Sequence, residues 1–142
     1  MRLTTEELIE IAHRHARAEA DGDLEATLAT LDDDPFYELL PVGLCFRGRQ
    51  AAQVYYEHFF STFRPMAQSS ELRGEYVSSH GLAQEYVLKL RLTGGIEECH
   101  PLVSVLTFGD AALSGERVYA DHRLLRMLFG PAYELAASAP PA

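Results

Sequence analysis

The sequence predicts an α+β domain of three helices and a largely antiparallel sheet. Three observations carry this. Residues 22–63 read in order as helix, strand, short turn, strand and aromatic-rich helix. From about Ser69 the hydrophobic period changes from helical to two and stays there. Helices first and strands later, with connections short enough for hairpins, give an α+β order rather than alternating βα units.

The first helix begins at Thr4, whose hydroxyl can cap while Glu7 closes a capping box, and it runs to about Ala20. At about 100° per residue, Leu8, Ile11, Ala12, His15 and Glu19 share one stripe, and His13, Arg14 and Arg17 fall outside it. A histidine and a glutamate one turn apart on an inward face are candidates for chemistry. Gly22 breaks the pattern, Asp23 is a good N-cap, and Leu24, Leu28 and Leu31 recur at helical spacing in a short second helix. Asp32, Asp33, Asp34 and Pro35 cannot extend it, so a strand is expected from about Phe36. Pro41 and Gly43 reverse the chain, Leu44 to Arg47 form a second strand, and Gly48 opens a helix carrying Tyr55, Tyr56, Phe59, Phe60 and Phe63. Ordinary core packing accounts for most of these rings, but Tyr55 projects with Ala51, Ala52 and Phe59 and is placed in a pocket.

Leu72 to His80 and Leu82 to Thr93 alternate about a turn at Gly81, as a half-buried hairpin does. Further strands are expected over His100 to Phe108 and from Glu116 to about Arg126. A curved sheet wrapped around these helices, with the long helix across its opening, would leave a conical apolar cavity, the kind of place where ligands bind. Phenol rings in that cavity suit a small hydrophobic or aromatic molecule with a few polar handles. The chain fits one domain, taken as residues 1–133, with a flexible tail from Glu134 to Ala142.

A net charge of −9, from 21 acids against 12 bases, argues against nucleic acid and anionic membrane as partners. Cys45 and Cys99 lack metal-ligand spacing, and no apolar targeting run or membrane-length segment is visible, so a reducing cytoplasmic setting is expected. No histidine pair shows zinc-site spacing, and neither a phosphate loop nor a nucleophile elbow is present, so no metal and no cofactor are expected.

The stretch GDL-x-x-x-L-x-L from Gly22, Pro41-Val42-Gly43 and FRG-x-x-A from Phe46 resembles the nuclear transport factor 2-like (cystatin-like) superfamily, specifically its SnoaL-like branch of polyketide cyclases and ketosteroid isomerase-like proteins. GERVYADHRLLRMLFG, residues 115–130, is similar to the closing strand of that family, and the resemblance spans roughly residues 5–130. It implies a cone-shaped sheet, a pocket, and a homodimer through the outer sheet face. It also implies that Asp121 points into the cavity from the last strand as the acid/base group, sharing a face with Tyr119. Burial among rings would raise that carboxyl toward neutrality. The alternative is that Asp121 only hydrogen-bonds backbone, Arg123 or Arg126.

By spacing, His15 falls where the isomerases of the superfamily carry an oxyanion-hole tyrosine, and imidazole can also donate or exchange a proton. The isomerases' base falls on Leu40 and their second oxyanion acid near Ser104, so ketosteroid isomerisation itself is not expected. Glu38 keeps the parity of Leu40 and is a substitute candidate or an exposed carboxylate. His100 is a pocket candidate at a strand start, whereas His58 and His80 read as surface histidines. Glu85 opposes the Tyr86 face and is expected outward.

The leading functional expectation is therefore a cofactor-free SnoaL-like enzyme performing cyclisation, isomerisation, dehydration or epoxide opening. Asp121 would be the acid/base, His15 its partner, and Tyr55, Tyr119, Glu19, Glu38, Phe59 and His100 would line the pocket. A non-catalytic ligand-binding or interaction module is the alternative, favoured by Leu40 and by Leu128 where a glutamine is common in the family. An epoxide-hydrolase network of Asp121 with Arg91 or Arg123 ranks last, because strand parity does not bring these together.

Overall fold

The capping box forms as its residues dictate: the Thr4 amide donates to the Glu7 carboxylate at 2.8 Å and the Glu7 amide donates to the Thr4 hydroxyl at 3.2 Å. Helix α1 then runs Thr5–Asp21 and ends at Gly22, whose φ of 72° suits glycine. This is a computed structural model, and it describes residues 2–138. Asp23 caps the short α2 (Leu24–Ala29) through the Ala26 amide at 3.0 Å.

Strand β1 (Leu31–Leu40) starts earlier than the expected Phe36. Pro35 forces Asp34 out of helical backbone, and the acidic run is extended rather than looped. The pairing of β1 with the last strand shifts between Leu31 and Phe36, so the missing N–H of Pro35 falls in an irregular stretch of the ladder. Opposite Phe36 stands Gly115 at φ 145°, where any Cβ would overlap the Phe36 carbonyl oxygen.

β2 (Leu44–Arg47) pairs back on β1, and α3 (Arg49–His58) follows, continuing through a π-helical turn over Phe59–Phe63. Pro65 then stops the helix, and β3 (Ala67–Val77), β4 (Gly81–Arg91), β5 (Glu97–Phe108) and β6 (Leu113–Tyr119) complete a six-stranded sheet in the order β2-β1-β6-β5-β4-β3. Only the β1–β6 pair is parallel, so the sheet is mixed. β4 keeps the face parity read from the sequence, with Leu88 and Leu90 buried and Glu85 exposed on the outer face, but Gly81 opens the strand rather than forming the turn, and β3 is exposed along most of its length.

The C-terminal quarter departs from expectation. The last strand ends at Tyr119 rather than near Arg126, and His122–Phe129 form α4. Two causes outweigh the strand-like character of VYADHR. The Asp121 carboxylate accepts from the Leu124 amide at 2.8 Å, an N-cap, and Leu124, Leu125, Leu128 and Phe129 bury one helical face. Pro131 opens α5 (Pro131–Ser138), with Ala132, Tyr133 and Ala136 buried. The tail expected from Glu134 is thus helical as far as Ser138, and residues 139–142 lie outside the described residues. Helices α4 and α5 come in addition to the three foreseen.

The core sits between the concave sheet face and these helices. Tyr37 stacks on Phe46 with ring centroids 4.9 Å apart, and Tyr55 stacks on Phe129 at 4.3 Å. Among the described residues no helix is long and apolar enough to cross a membrane.

Candidate functional site

A cavity of about 670 Å³ opens between α1, the α3–π segment and the inner faces of β4, β5 and β6. That volume lies within the range of small-molecule sites. Its apolar wall includes Tyr55, Phe59 and Phe63, the aliphatic side chains Leu88, Leu102, Leu106 and Val118, and Leu128 from α4. Its polar residues are His15, Glu19, Gln84, Ser104 and Glu116, with the exposed Arg64, Ser69 and Ser70 at the open end. The wide π turn, a feature often found at functional sites, leaves both Phe59 and Phe63 on the lining.

His15 lies on the buried stripe of α1, 1% exposed, as its spacing requires. Its Nδ1 is 2.7 Å from the Thr30 hydroxyl, which itself donates to the Thr27 carbonyl at 2.7 Å. A carbonyl can only accept, so the single Thr30 proton is committed and the Thr30 oxygen must accept from His15 Nδ1–H. That leaves Nε2 as the nitrogen facing the site, 2.6 Å from Glu19 Oε1 and 3.2 Å from the Tyr56 hydroxyl. Burial works against the imidazolium, but the Glu19 carboxylate, its hydrogen bond and Glu116 outweigh it, and the His15 pKa is raised. Thr30→Val keeps the shape and removes the acceptor. It is expected to shift the ¹⁵N resonance of His15 Nδ1 and to cost about 1–3 kcal/mol for the stranded N–H; Thr30→Ser should restore both. Unchanged ¹⁵N shifts in the valine variant would contradict the assignment.

Glu116 comes from β6 with the parity of Val118 and Ala120, and it is 4% exposed. One carboxyl oxygen accepts from the Ser104 hydroxyl at 3.0 Å. Among the described residues no fully buried side-chain polar atom lacks a partner, so the second oxygen, which bonds to no protein group, opens into the cavity. Burial first, then the like charge of Glu19, raise the Glu116 pKa to about 8, against the opposing pull of His15 and Ser104. At neutral pH the group is chiefly a carboxylic acid, able to give a proton and take it back. Near it Tyr86 donates to Gln84, whose amide donates to Glu75 at 2.8 Å, and Glu75 in turn meets His13 at 3.1 Å. This chain ties β3 and β4 to α1 beside the cavity.

Of the residues singled out from sequence, His15, Glu19, Tyr55 and Phe59 line the cavity together, and four others do not. Asp121 is half exposed at the start of α4 rather than on a strand. Tyr119 stands on the outer sheet face, 44% exposed. Glu38 lies in a shallow outer cleft with Arg47 and Arg117. His100 is buried outside the cavity, its Nδ1 3.0 Å from Asp121 and its Nε2 2.8 Å from Glu98, which Arg123 grips through two bonds. Both ring nitrogens therefore face carboxylates. Burial opposes the imidazolium, but the two carboxylates prevail and the His100 pKa is raised. The cluster pins α4 to β5. The histidine's share of this link is complete below the ordinary histidine pKa of about 6.5 and fades as pH rises through the raised value, whereas the share of Glu98 and Asp121, whose pKa values are lowered, is lost in acid. Asp121→Ala is expected to lose the cap and this link, about 0.5–2 kcal/mol in chemical denaturation, without loss of whatever chemistry the cavity performs. Loss of function with unchanged stability would return Asp121 to the site.

Glu116 is the cavity carboxyl the sequence reading missed, although a signal was present. In ERVYA the residues Glu116, Val118 and Ala120 share parity, and their apolar members mark the inward face, whereas Arg117, Tyr119 and Asp121 share the other.

No protein-family model and no curated protein matches the chain. Solved structures do. An NTF2-like protein of unknown function from Burkholderia xenovorans is 23% identical with a TM-score of 0.61, covering 82% of this chain and 84% of that one. An uncharacterised protein with a cystatin-like fold from Silicibacter pomeroyi is 15% identical with a TM-score of 0.64, over 90% and 86%. A hypothetical protein with a ketosteroid isomerase-like fold from Catenulispora acidiphila, in complex with trimethylamine, is 16% identical with a TM-score of 0.62, over 87% and 95%. The fold is that of the nuclear transport factor 2-like, cystatin-like proteins.

Proposed function

We propose that the chain is a cofactor-free acid/base enzyme of the SnoaL-like kind, acting on a small hydrophobic substrate by cyclisation, isomerisation, dehydration or epoxide opening. The observation that carries this is Glu116, a buried carboxyl with a pKa of about 8 and a free oxygen on the same cavity as His15 and Glu19. In this reading Glu116 takes the role expected of Asp121 and delivers a proton to a carbonyl, hydroxyl or epoxide oxygen. Glu19, fixed against His15, accepts the complementary proton, and His15 steadies the resulting charge. Tyr55, Phe59 and Phe63 form the wall against which the apolar body packs.

The test is a panel of small apolar ketones, epoxides and hydroxy-ketones followed by NMR in deuterated buffer. Product formation or solvent exchange that vanishes in Glu116→Gln supports the proposal, and activity that persists in that variant contradicts it. If the wild type binds members of the panel but transforms none, the second reading holds: a non-catalytic ligand-binding module. One observation favours that reading, namely that a protein of this fold is in complex with a small organic molecule, trimethylamine.

The homodimer is proposed to use the outer sheet face around Val103, Val105 and Tyr119, bordered by Glu85 and Arg117. Opposite charges flanking an apolar patch are self-complementary across a two-fold axis. Tyr119→Glu is expected to shift the chain to monomer in sedimentation velocity, and a wild type that is already monomeric would refute the dimer.

A further inference from the structure

Reading the cavity as a ligand site leaves open what kind of polar group its occupant brings, and the hydrogen-bond inventory of the lining narrows this. The donors are largely committed. His15 gives Nδ1–H to Thr30 and faces Glu19 with Nε2, Ser104 gives its proton to Glu116, and Tyr86 gives its own to Gln84. Arg64, at the exposed end, is bonded to the Ala20 carbonyl in the last turn of α1. An anionic ligand would meet two carboxyl groups and no unengaged buried cation. The free capacity lies on two carboxyl groups and a phenol: the second Glu116 oxygen, which becomes an acceptor once its proton leaves, the remaining Glu19 oxygen, and the Tyr55 hydroxyl, which can accept as well as donate. Around these stand the rings of Phe59, Phe63 and Tyr86, whose π faces attract cations.

We infer that the cavity takes a protonated amine on an apolar body, with the ammonium held by Glu116 and Glu19 and the carbons against Phe59, Phe63 and Tyr86. Glu116 has no cationic side chain bonded to it, so ionisation in the empty site leaves a buried charge with no counter-ion in contact; the ligand supplies that partner. The net charge of −9 draws cations toward the protein. Binding exchanges one positive charge for another: the ammonium enters, and the Glu116 proton leaves to solvent.

The test compares three probes by titration calorimetry and NMR at pH 7: benzyldimethylamine, its neutral isostere isobutylbenzene, and the anion phenylacetate. The wild type is expected to bind the amine at least about tenfold more tightly than isobutylbenzene. It should also release close to one proton per amine bound, measured from the dependence of the heat on buffer ionisation. Glu116→Gln should keep isobutylbenzene binding and lose both the preference and the proton release. Equal affinity for the amine and its isostere, tighter binding of phenylacetate, or a preference that survives in Glu116→Gln would each overturn the inference. If isobutylbenzene binds as well as the amine, the cavity reading stands and the cation inference alone fails. If none of the three binds, both fall.

Discussion

Glu116→Gln is expected to make the protein more stable in alkali while lowering the turnover proposed for the cavity by about 10²–10⁴-fold, the usual scale of a positioned acid or base. The sign follows from proton linkage. A carboxyl whose pKa is raised from 4.5 to about 8 in the folded chain binds its proton more tightly there than when unfolded. Its stabilisation is therefore complete below about 4.5 and is lost as pH rises through about 8. Each unit is worth about 1.4 kcal/mol, so ionising the group in place costs on the order of a few kcal/mol. Glutamine cannot ionise and its amide oxygen still accepts from Ser104, so the variant should melt above the wild type at pH 9 and close to it at pH 5. Thermal melts at the two pH values check this, and a variant no more stable than the wild type at pH 9 would refute it. Gain of stability together with loss of function marks a group held in an unfavourable environment for chemistry.

The largest loss of stability is expected from Phe129→Ala. Phe129 is fully buried, stacked on Tyr55 at 4.3 Å and edge-on to Phe46 at 5.9 Å, and it fastens α4 to the helix that walls the cavity. Removing such a ring costs about 3–5 kcal/mol through lost transfer energy and the hole left behind, a large part of the roughly 5–15 kcal/mol a domain has. Urea denaturation should show the midpoint falling accordingly. A loss below about 1 kcal/mol would mean that α4 does not close the core as described.

Much of this architecture was legible in local chemistry. Thr4 and Glu7, Gly22 and Asp23, Pro41 and Gly43, and the alternation over Leu82 to Thr93 each stated an element boundary or a face, and each did so through a mechanism acting within a few residues. His15 and Glu19 were legible as a pair because helical spacing alone brings them together. The C-terminal segment was not, because two signals overlap there. VYADHR alternates like a strand, while Asp121 followed by Leu124, Leu125, Leu128 and Phe129 is a capped amphipathic helix, and tertiary packing of Phe129 decides between them. Extending the strand by seven residues made Asp121 an inward strand residue and hid Glu116, whose parity with Val118 and Ala120 was the better guide. The Glu98–His100–Asp121 cluster could not be read at all, since it joins side chains 21 residues apart across a strand and a helix start.

The most direct test of the proposed site is the titration of the Glu116 carboxyl itself, followed by its side-chain ¹³C resonance in selectively labelled protein from pH 4 to 10, with Glu116→Gln identifying the signal. A midpoint near 8 is expected, moved downward by Glu19→Gln, which removes the neighbouring like charge. A midpoint near the ordinary glutamate value of about 4.3 would mean that Glu116 is an ion at neutral pH, and the acid/base reading of the cavity would fall.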